Sequence, residues 1–507
     1  MTGLRRYIVL PAFGFRSPTL GQVALLQAPG TSVRLTVRPA LRGASATQDL
    51  TTSVRVLDSI HEDGPKLVEM SPEAELNLRA EVPGLKIVPV VTYRAMRATQ
   101  EASQAPKTGP SSAGVMHLRV TDAVTGGPLP GASVVAFTDF RNKRGDSAAS
   151  DSAGVATLSQ IATGAALERL YVYPPPGYWG HYSASQPAPD GSTYSLKPID
   201  LAHNDDILSR FCRAMPPEAG KGVKAAIIDT GVAKRHPALS NVSGGANMIF
   251  DETDRDPAAT DDWGPAQTHG EHGTHVAGIV GGRGPAGIGF RGVAPGVELR
   301  SYRVFPNDGG EAQNYDIVAA MARAVREGCH IINLSLGGGV EDEATRAGIG
   351  NALDNGVLVV AAAGNNYRKP VSFPAAVDSC IAVSAYGRTG TFPPDSVEAP
   401  EVMRPFGIDK QDFFAGFSNY GPQIDIVGPG VGVVSTLPEA LYGAMSGTSM
   451  ACPAIVGFAA YLLSSRSDLQ GASGAERARL WKSALYGASK PVGFGRDFEG
   501  FGLPQIT

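Results

Sequence analysis

The sequence predicts an α/β fold, a doubly wound parallel sheet, preceded by a small α+β domain and a small β-sandwich. Three observations carry this expectation. From residue 202 onward, unbroken apolar runs such as VKAAIID, CHIINLSL and VLVVAAAG alternate with helix-like stretches such as YDIVAAMARAVREG. Strands without polar alternation are buried on both faces, as in a parallel sheet covered by helices on each side. Across residues 115–197 the texture becomes short alternating strands separated by Gly-Gly-Pro and Pro-Gly, which suits a sandwich. Residues 1–97 mix short β-like runs with one helix-like segment.

Length and composition bound the rest. The chain has 507 residues, more than one ordinary domain holds, with 43% hydrophobic and 18% charged residues. A formal charge of -4 supplies no basic surface, so neither nucleic acid nor an anionic membrane is expected as a partner. No apolar run is read as long enough to span a bilayer. The start, MTGLRRYIVLPAFGFRSP, imitates a signal peptide, but Pro11 and Arg16 interrupt it and no small-residue cleavage site follows. It is read as a first β-strand, leaving cytoplasmic residence or export without a recognisable signal. Cys212, Cys329, Cys380 and Cys452 show no paired spacing, and three lie in apolar runs. They are predicted to be free core thiols, which fits a reducing compartment.

In chain order, strands are expected near 5–11, 32–37 and 85–93. Between them SPEAELNLRAEVPG reads as a helix, capped by Ser71, with Glu73 and Glu75 in its first turn and Pro83-Gly84 ending it. Residues 98–114, ATQEASQAPKTGPSSAG, have no apolar period and read as a linker. The sandwich strands follow over 115–197, and the parallel-sheet domain occupies 202–507. In such sheets functional groups gather at the carboxyl ends of strands.

Several features there have chemistry, and each has a plainer reading. Asp229 ends VKAAIID as a turn or catalytic aspartate, and the absence of a second Asp-Thr/Ser-Gly excludes an aspartic protease. His269, His272 and His275 recur at a spacing of three, as a metal cluster on a helix would. Neither a metalloprotease H-E-x-x-H nor a deaminase P-C-x-x-C accompanies them, and histidines in a Gly-rich turn explain them equally. GIGFRG matches a dinucleotide fingerprint by letter but runs into Val-Ala-Pro and a strand, so it is discarded. Gly364-Asn365 closes VLVVAAAGNN, where a side-chain amide can serve an oxyanion or simply form a turn. GTSMACPAIVGFAAYLL places Ser449 where a helix begins, because Pro453 is tolerated in a first turn; a buried helix start accounts for the same residues. Together these features give the order Asp, His, Ser. An α/β-hydrolase needs its histidine after the serine, and none follows Ser449. The chymotrypsin order puts the acid between His and Ser, on all-β barrels.

At these residues the chain resembles the subtilisin-like serine proteases, the subtilases. IIDTG, HGTHVAG, GVAP, INLSLGGG, AAAGN, FSNYGP and GTSMACP occur in the family's order. The resemblance implies a subtilisin-like fold and a serine endopeptidase acting on proteins or peptides through an acyl-enzyme. It implies that Asp229 orients the imidazole, His272 is general base and then acid, and Ser449 is the nucleophile. The Asn365 amide and the Ser449 N–H would form the oxyanion hole, with His275 a structural companion. Ser335, Leu336, Gly337 and Gly338 resemble the strand that pairs with extended substrate, 309–312 being its opposite edge. Gly364 would also line the substrate site. Ser372 is expected at the pocket floor, favouring modest apolar side chains. Residues 1–97 resemble the family's prodomain, implying a self-inhibited, self-processed precursor cut within 98–114. TDAVTGGPLPGASVVAF resembles carboxypeptidase regulatory-like modules, which would bind a partner or act as a spacer.

Departures are local. Cys452 and Ala454 stand where the family usually has serine and histidine. GGRGPAGIGFRG lacks the asparagines of a tight calcium site, so no cofactor is expected there. The acidic stretch 251–262 is read as a solvated loop, with calcium as its alternative, and 386–417 is longer than in simple relatives. Two rivals stand beside the serine protease: an inactive scaffold that only binds, and a protease built on Cys452.

Overall fold

The computed structural model describes residues 3–12, 14–16, 32–36, 51–82, 84–96, 115–187 and 189–506. The linker expected at 98–114 lies outside them.

The largest sheet runs in the order Val242–Asn247, Glu298–Arg303, Lys224–Asp229, Ile331–Leu334, Leu358–Ala362, Ile381–Arg388, all parallel. Ile426–Pro429 joins the last of these in parallel and Asp412–Phe414 in antiparallel. The unbroken apolar runs have a direct cause. Ala225 and Ile227 face one core while Ala226 and Ile228 face another on the opposite side, so every position is buried. Helices Glu271–Gly281, Thr448–Ser465 and Gly474–Gly487 cover the first face. Asn314–Arg326 and Glu343–Asp354 cover the second. Lys224–Asp229 has later strands on both sides, so the order of strands reverses at Asp229, where open α/β sheets leave a crevice.

Thr448–Ser465 corrects one expectation. With 18 residues it is long and apolar enough to cross a bilayer by length and composition, yet 83% of it is buried inside the protein. It is the central core helix. Trp481 from the neighbouring helix is fully buried, and its indole N–H donates to Ala459 O at 2.8 Å. Trp481→Ala is expected to destabilise the fold by about 3–5 kcal/mol, read as a lower midpoint of urea unfolding.

The N-terminal strands form an antiparallel sheet, ordered Ser32–Thr36, Thr51–Ser59, Lys66–Met70, Arg5–Leu10, Lys86–Pro89. The segment that imitates a signal peptide is therefore an internal strand. Its period of two divides its work. Tyr7 and Val9 pack toward helix Pro72–Glu81, whereas Ile8 and Leu10 join the core that covers the second face of the large sheet. Ser71 caps the helix as expected, accepting from Ala74 N at 3.1 Å.

The stretch 251–262 is largely exposed, as the solvated loop expected of it, but some of its carboxylates are paired. Asp251 pairs with Arg6 at 2.7 Å, and Glu252 and Asp262 hold the buried Arg303 guanidinium at 2.7 and 3.3 Å. Glu252 and Asp262 compensate a buried cation, a function that composition alone does not reveal.

Residues 115–187 and 189–200 contain two sheets. One is Val155–Leu158, Met116–Asp122, Thr193–Leu196; the other is His181–Pro187, Ala166–Tyr173, Ser133–Asp139, Arg144–Ala149. Leu118, Val120, Val134, Ala136, Leu170 and Leu196 fill one apolar cluster between them. The outer side of the four-stranded sheet meets the long segment 386–417. Val135, Phe137 and Tyr171 pack on Val397, and Tyr182 N donates to Asp395 O at 2.7 Å. The segment 386–417 is thus part of the surface on which the two-sheet unit docks, along with Tyr442, whose carbonyl accepts from Gly177 N at 2.8 Å. All four cysteines are free and buried.

Candidate active site

Asp229 closes its strand at the crevice, fully buried, and its Oδ1 accepts from Thr230 N at 2.7 Å. The turn that follows requires glycine. Gly231 has φ of +96°, and a Cβ there would lie 1.9 Å from Gly264 O. His272, also fully buried, lies in the first turn of Glu271–Gly281, and its Nδ1 is 2.7 Å from Asp229 Oδ1. A proton on Nδ1 donated to that carboxylate leaves the lone pair on Nε2, the arrangement a general base needs. Nε2 is buried and has no hydrogen-bond partner among the described residues.

Ser449 is the second residue of its helix, after Gly447 at φ +154°. Its Oγ donates to Ser335 O at 3.1 Å. The hydrogen bond to His272 that a triad leads one to expect is therefore not formed in this state, since the single hydroxyl proton goes to Ser335. Pro453 has no N–H for the Ser449 carbonyl one turn back, and Ser335 Oγ fills that role at 3.0 Å.

The donors beside Ser449 are occupied by the chain itself. Asn365 Nδ2 donates to Met96 O at 2.5 Å, and Ser449 N donates to the same oxygen at 3.3 Å. Asn365 is held in that orientation because its Oδ1 accepts from both Thr448 N and Thr448 Oγ at 2.9 Å. Upstream of Met96, the strand Thr92–Ala95 lies between Ala312–Gln313 and Leu336–Gly337, antiparallel to both. Met96 N donates to Ser335 O at 3.0 Å, extending the pairing to the nucleophile. Ser335, Leu336 and Gly337 thus pair with an extended backbone. The opposite edge is Ala312–Gln313, at the end of the 309–312 stretch expected for it.

Met96 is buried against glycine. A Cβ on Gly337 would meet Met96 Cε at 2.7 Å and Phe373 O at 2.9 Å, and one on Gly338 would meet the same methyl at 3.4 Å. Ser372 adjoins Gly364. Its Oγ accepts from Asn419 Nδ2 at 3.0 Å and lies 2.5 Å from where a Cβ on Gly364 would stand. The Phe373 carbonyl borders the methionine pocket.

Cys452 is fully buried, 3.3 Å from Asn333 Oδ1, and burial pushes its thiol well above the usual range. A thiol held protonated in the core is no nucleophile. His275 Nε2 lies 3.1 Å from Gly443 O, within the core rather than in the crevice. His269 stands outside the helix at φ +55°. The three histidines therefore do not converge, and no group of three or more metal-ligating side chains occurs among the described residues. The stretch 281–292 carries no carboxylate or side-chain amide and does not fit calcium.

Two participants have no signal in the sequence. Thr448 orients Asn365, and Met96 fills the donors. Both depend on contacts across more than 80 residues, with separations of 83 and 269.

Comparison with known proteins adds independent findings. A family model described as the subtilase family matches residues 220–500. Subtilisin E of Bacillus subtilis (strain 168) is 34% identical over 271 residues, covering 53% of this chain and 61% of that protein. Subtilisin of Bacillus pumilus is 34% identical over 271 residues, covering 85% of that protein. The major intracellular serine protease of Bacillus subtilis (strain 168) is 35% identical over 251 residues, covering 69% of it.

Proposed function

The chain belongs to the subtilase family, and we propose that it is a serine endopeptidase that cuts itself between Met96 and Arg97. In this reading residues 1–96 act as a prodomain that stays in the cleft as an inhibitor, and the two-sheet unit is a β-sandwich module beside the active site. One observation carries the proposal: the Met96 carbonyl oxygen sits between Asn365 Nδ2 and Ser449 N, where a scissile carbonyl would sit. The bond concerned lies just before the 98–114 linker in which processing was expected.

The chemistry follows from the atoms present. Ser449 Oγ turns from Ser335 O, gives its proton to His272 Nε2 and attacks the carbonyl carbon. The carbonyl electrons move to the oxygen, where two N–H donors receive the negative charge. Asp229 holds the resulting imidazolium. His272 then returns the proton to the departing amine, leaving an ester on Ser449. A water deprotonated by His272 attacks that ester and releases the carboxylate, restoring the hydroxyl. Each donor is in place beforehand, which is what makes such stabilisation effective.

The test has two readouts on the purified protein. A fluorophosphonate is expected to label Ser449, and N-terminal sequencing of the larger fragment is expected to read Arg97-Ala98-Thr99. No label at Ser449 once residues 1–96 have been removed from the cleft would sink the activity and leave an inactive binding scaffold. A first residue within 98–114 would remove the assignment of the bond.

A further inference from the structure

We infer that Asp342 makes this protease select tyrosine, over phenylalanine, as the fourth residue on the acyl side of the bond it cuts. The inference rests on the proposed activity and deepens it. Counting back from Met96, the fourth position is Tyr93, in the strand that fills the cleft. An extended strand turns alternate side chains to opposite sides, so its neighbour Arg94 is 81% exposed while Tyr93 is 0% exposed.

The pocket around Tyr93 suits a phenol rather than a plain ring. The Phe373 ring lies 6.1 Å away by centroid, giving an apolar wall. Gly339 opens the space, since a Cβ there would stand 2.7 Å from Tyr93 Cε1. At the closed end the Tyr93 hydroxyl donates to Asp342 Oδ2, with the Val340 carbonyl 3.4 Å away. Burial and the facing carboxylate raise the phenol's pKa, so the hydroxyl keeps the proton it donates.

Asp342 is not free to turn aside. It caps helix Glu343–Asp354, its Oδ1 accepting from Thr345 N at 2.8 Å and its Oδ2 from Thr345 Oγ1 at 2.9 Å. The cap fixes the carboxylate with its remaining acceptor capacity aimed into the pocket. A tyrosine hydroxyl meets that capacity directly. A phenylalanine leaves it unmet and puts an apolar ring edge against an anion. Sites built to bond a hydroxyl reject the analogue that lacks it far better than apolar pockets reject an added group.

The experiment uses enzyme produced from the full chain, with working sites counted by fluorophosphonate labelling. Two peptides are compared, one containing Tyr-Arg-Ala-Met-Arg and one containing Phe-Arg-Ala-Met-Arg. In the wild type, kcat/KM is expected to favour tyrosine by about 10- to 100-fold, the range of a hydrogen bond to a charged partner. Asp342→Ser keeps a capping hydroxyl but is too short to reach the phenol, and is expected to bring the ratio to within about twofold of one. The ratio is internal to each variant, so a loss of folded protein does not move it. Labelled wild-type enzyme that cuts both peptides equally overturns the inference and leaves the activity standing. Absence of both label and cleavage overturns the activity, and the inference with it.

Discussion

Ser449→Ala is expected to lower peptide turnover by about 10⁶-fold and to leave the chain uncut at Met96. The magnitude is carried over from subtilisin, where loss of the nucleophile is known to have that effect. The structure explains why the loss would be chemical rather than structural. The Ser449 hydroxyl makes one hydrogen bond, to Ser335 O. Its backbone N–H and the Asn365 amide, which hold the Met96 oxygen, are untouched by the substitution. The variant is therefore expected to keep residues 1–96 bound in the cleft, as an unreacted complex. Intact mass and a fluorogenic peptide assay give the two readings. If wild type and variant were processed alike, another protease would be responsible and self-cleavage would be excluded.

The contrast between what was legible in the sequence and what was not follows the range of the interactions. Asp229, His272, Asn365 and Ser449 each stand in a short segment with a plainer reading, and only their order along the chain together with the family's other segments singles them out. The two-faced burial of the strands was legible because each run encodes its own surroundings. Other features depend on distant contacts. The acidic stretch 251–262 shows no pairing until Arg303 and Arg6 are brought to it. Helix Thr448–Ser465 meets the length and apolarity of a membrane span, although the sequence reads as having none, because apolar length is the same signal in a lipid and in a core. The segment 386–417 gains its role only when Val397 meets the aromatic side of another sheet. Met96 shows nothing in its own neighbourhood, since its position comes from strand pairing on both sides.

Asp229→Asn is expected to reduce kcat by about 10⁴-fold, less than loss of the nucleophile and more than loss of the Asn365 donor, for which ~10²–10³ is expected. The ranking follows from what each group does. Asp229 Oδ1 accepts from Thr230 N and faces His272 Nδ1. An amide whose oxygen keeps the Thr230 bond can still accept from Nδ1. Its NH₂ group offers the alternative of donating to Nδ1, which moves the imidazole proton to Nε2. That nitrogen is buried, has no hydrogen-bond partner among the described residues, and must carry a lone pair to take the serine proton. The neutral amide also cannot stabilise the imidazolium that forms as Ser449 attacks. Asn365→Ala differs, because it removes one of two donors to an oxygen and leaves base and nucleophile intact. Measuring kcat for both variants on the tyrosine peptide separates these roles. An Asp229→Asn enzyme within tenfold of wild type would mean that the 2.7 Å contact only positions His272, and that its charge contributes little to the attack.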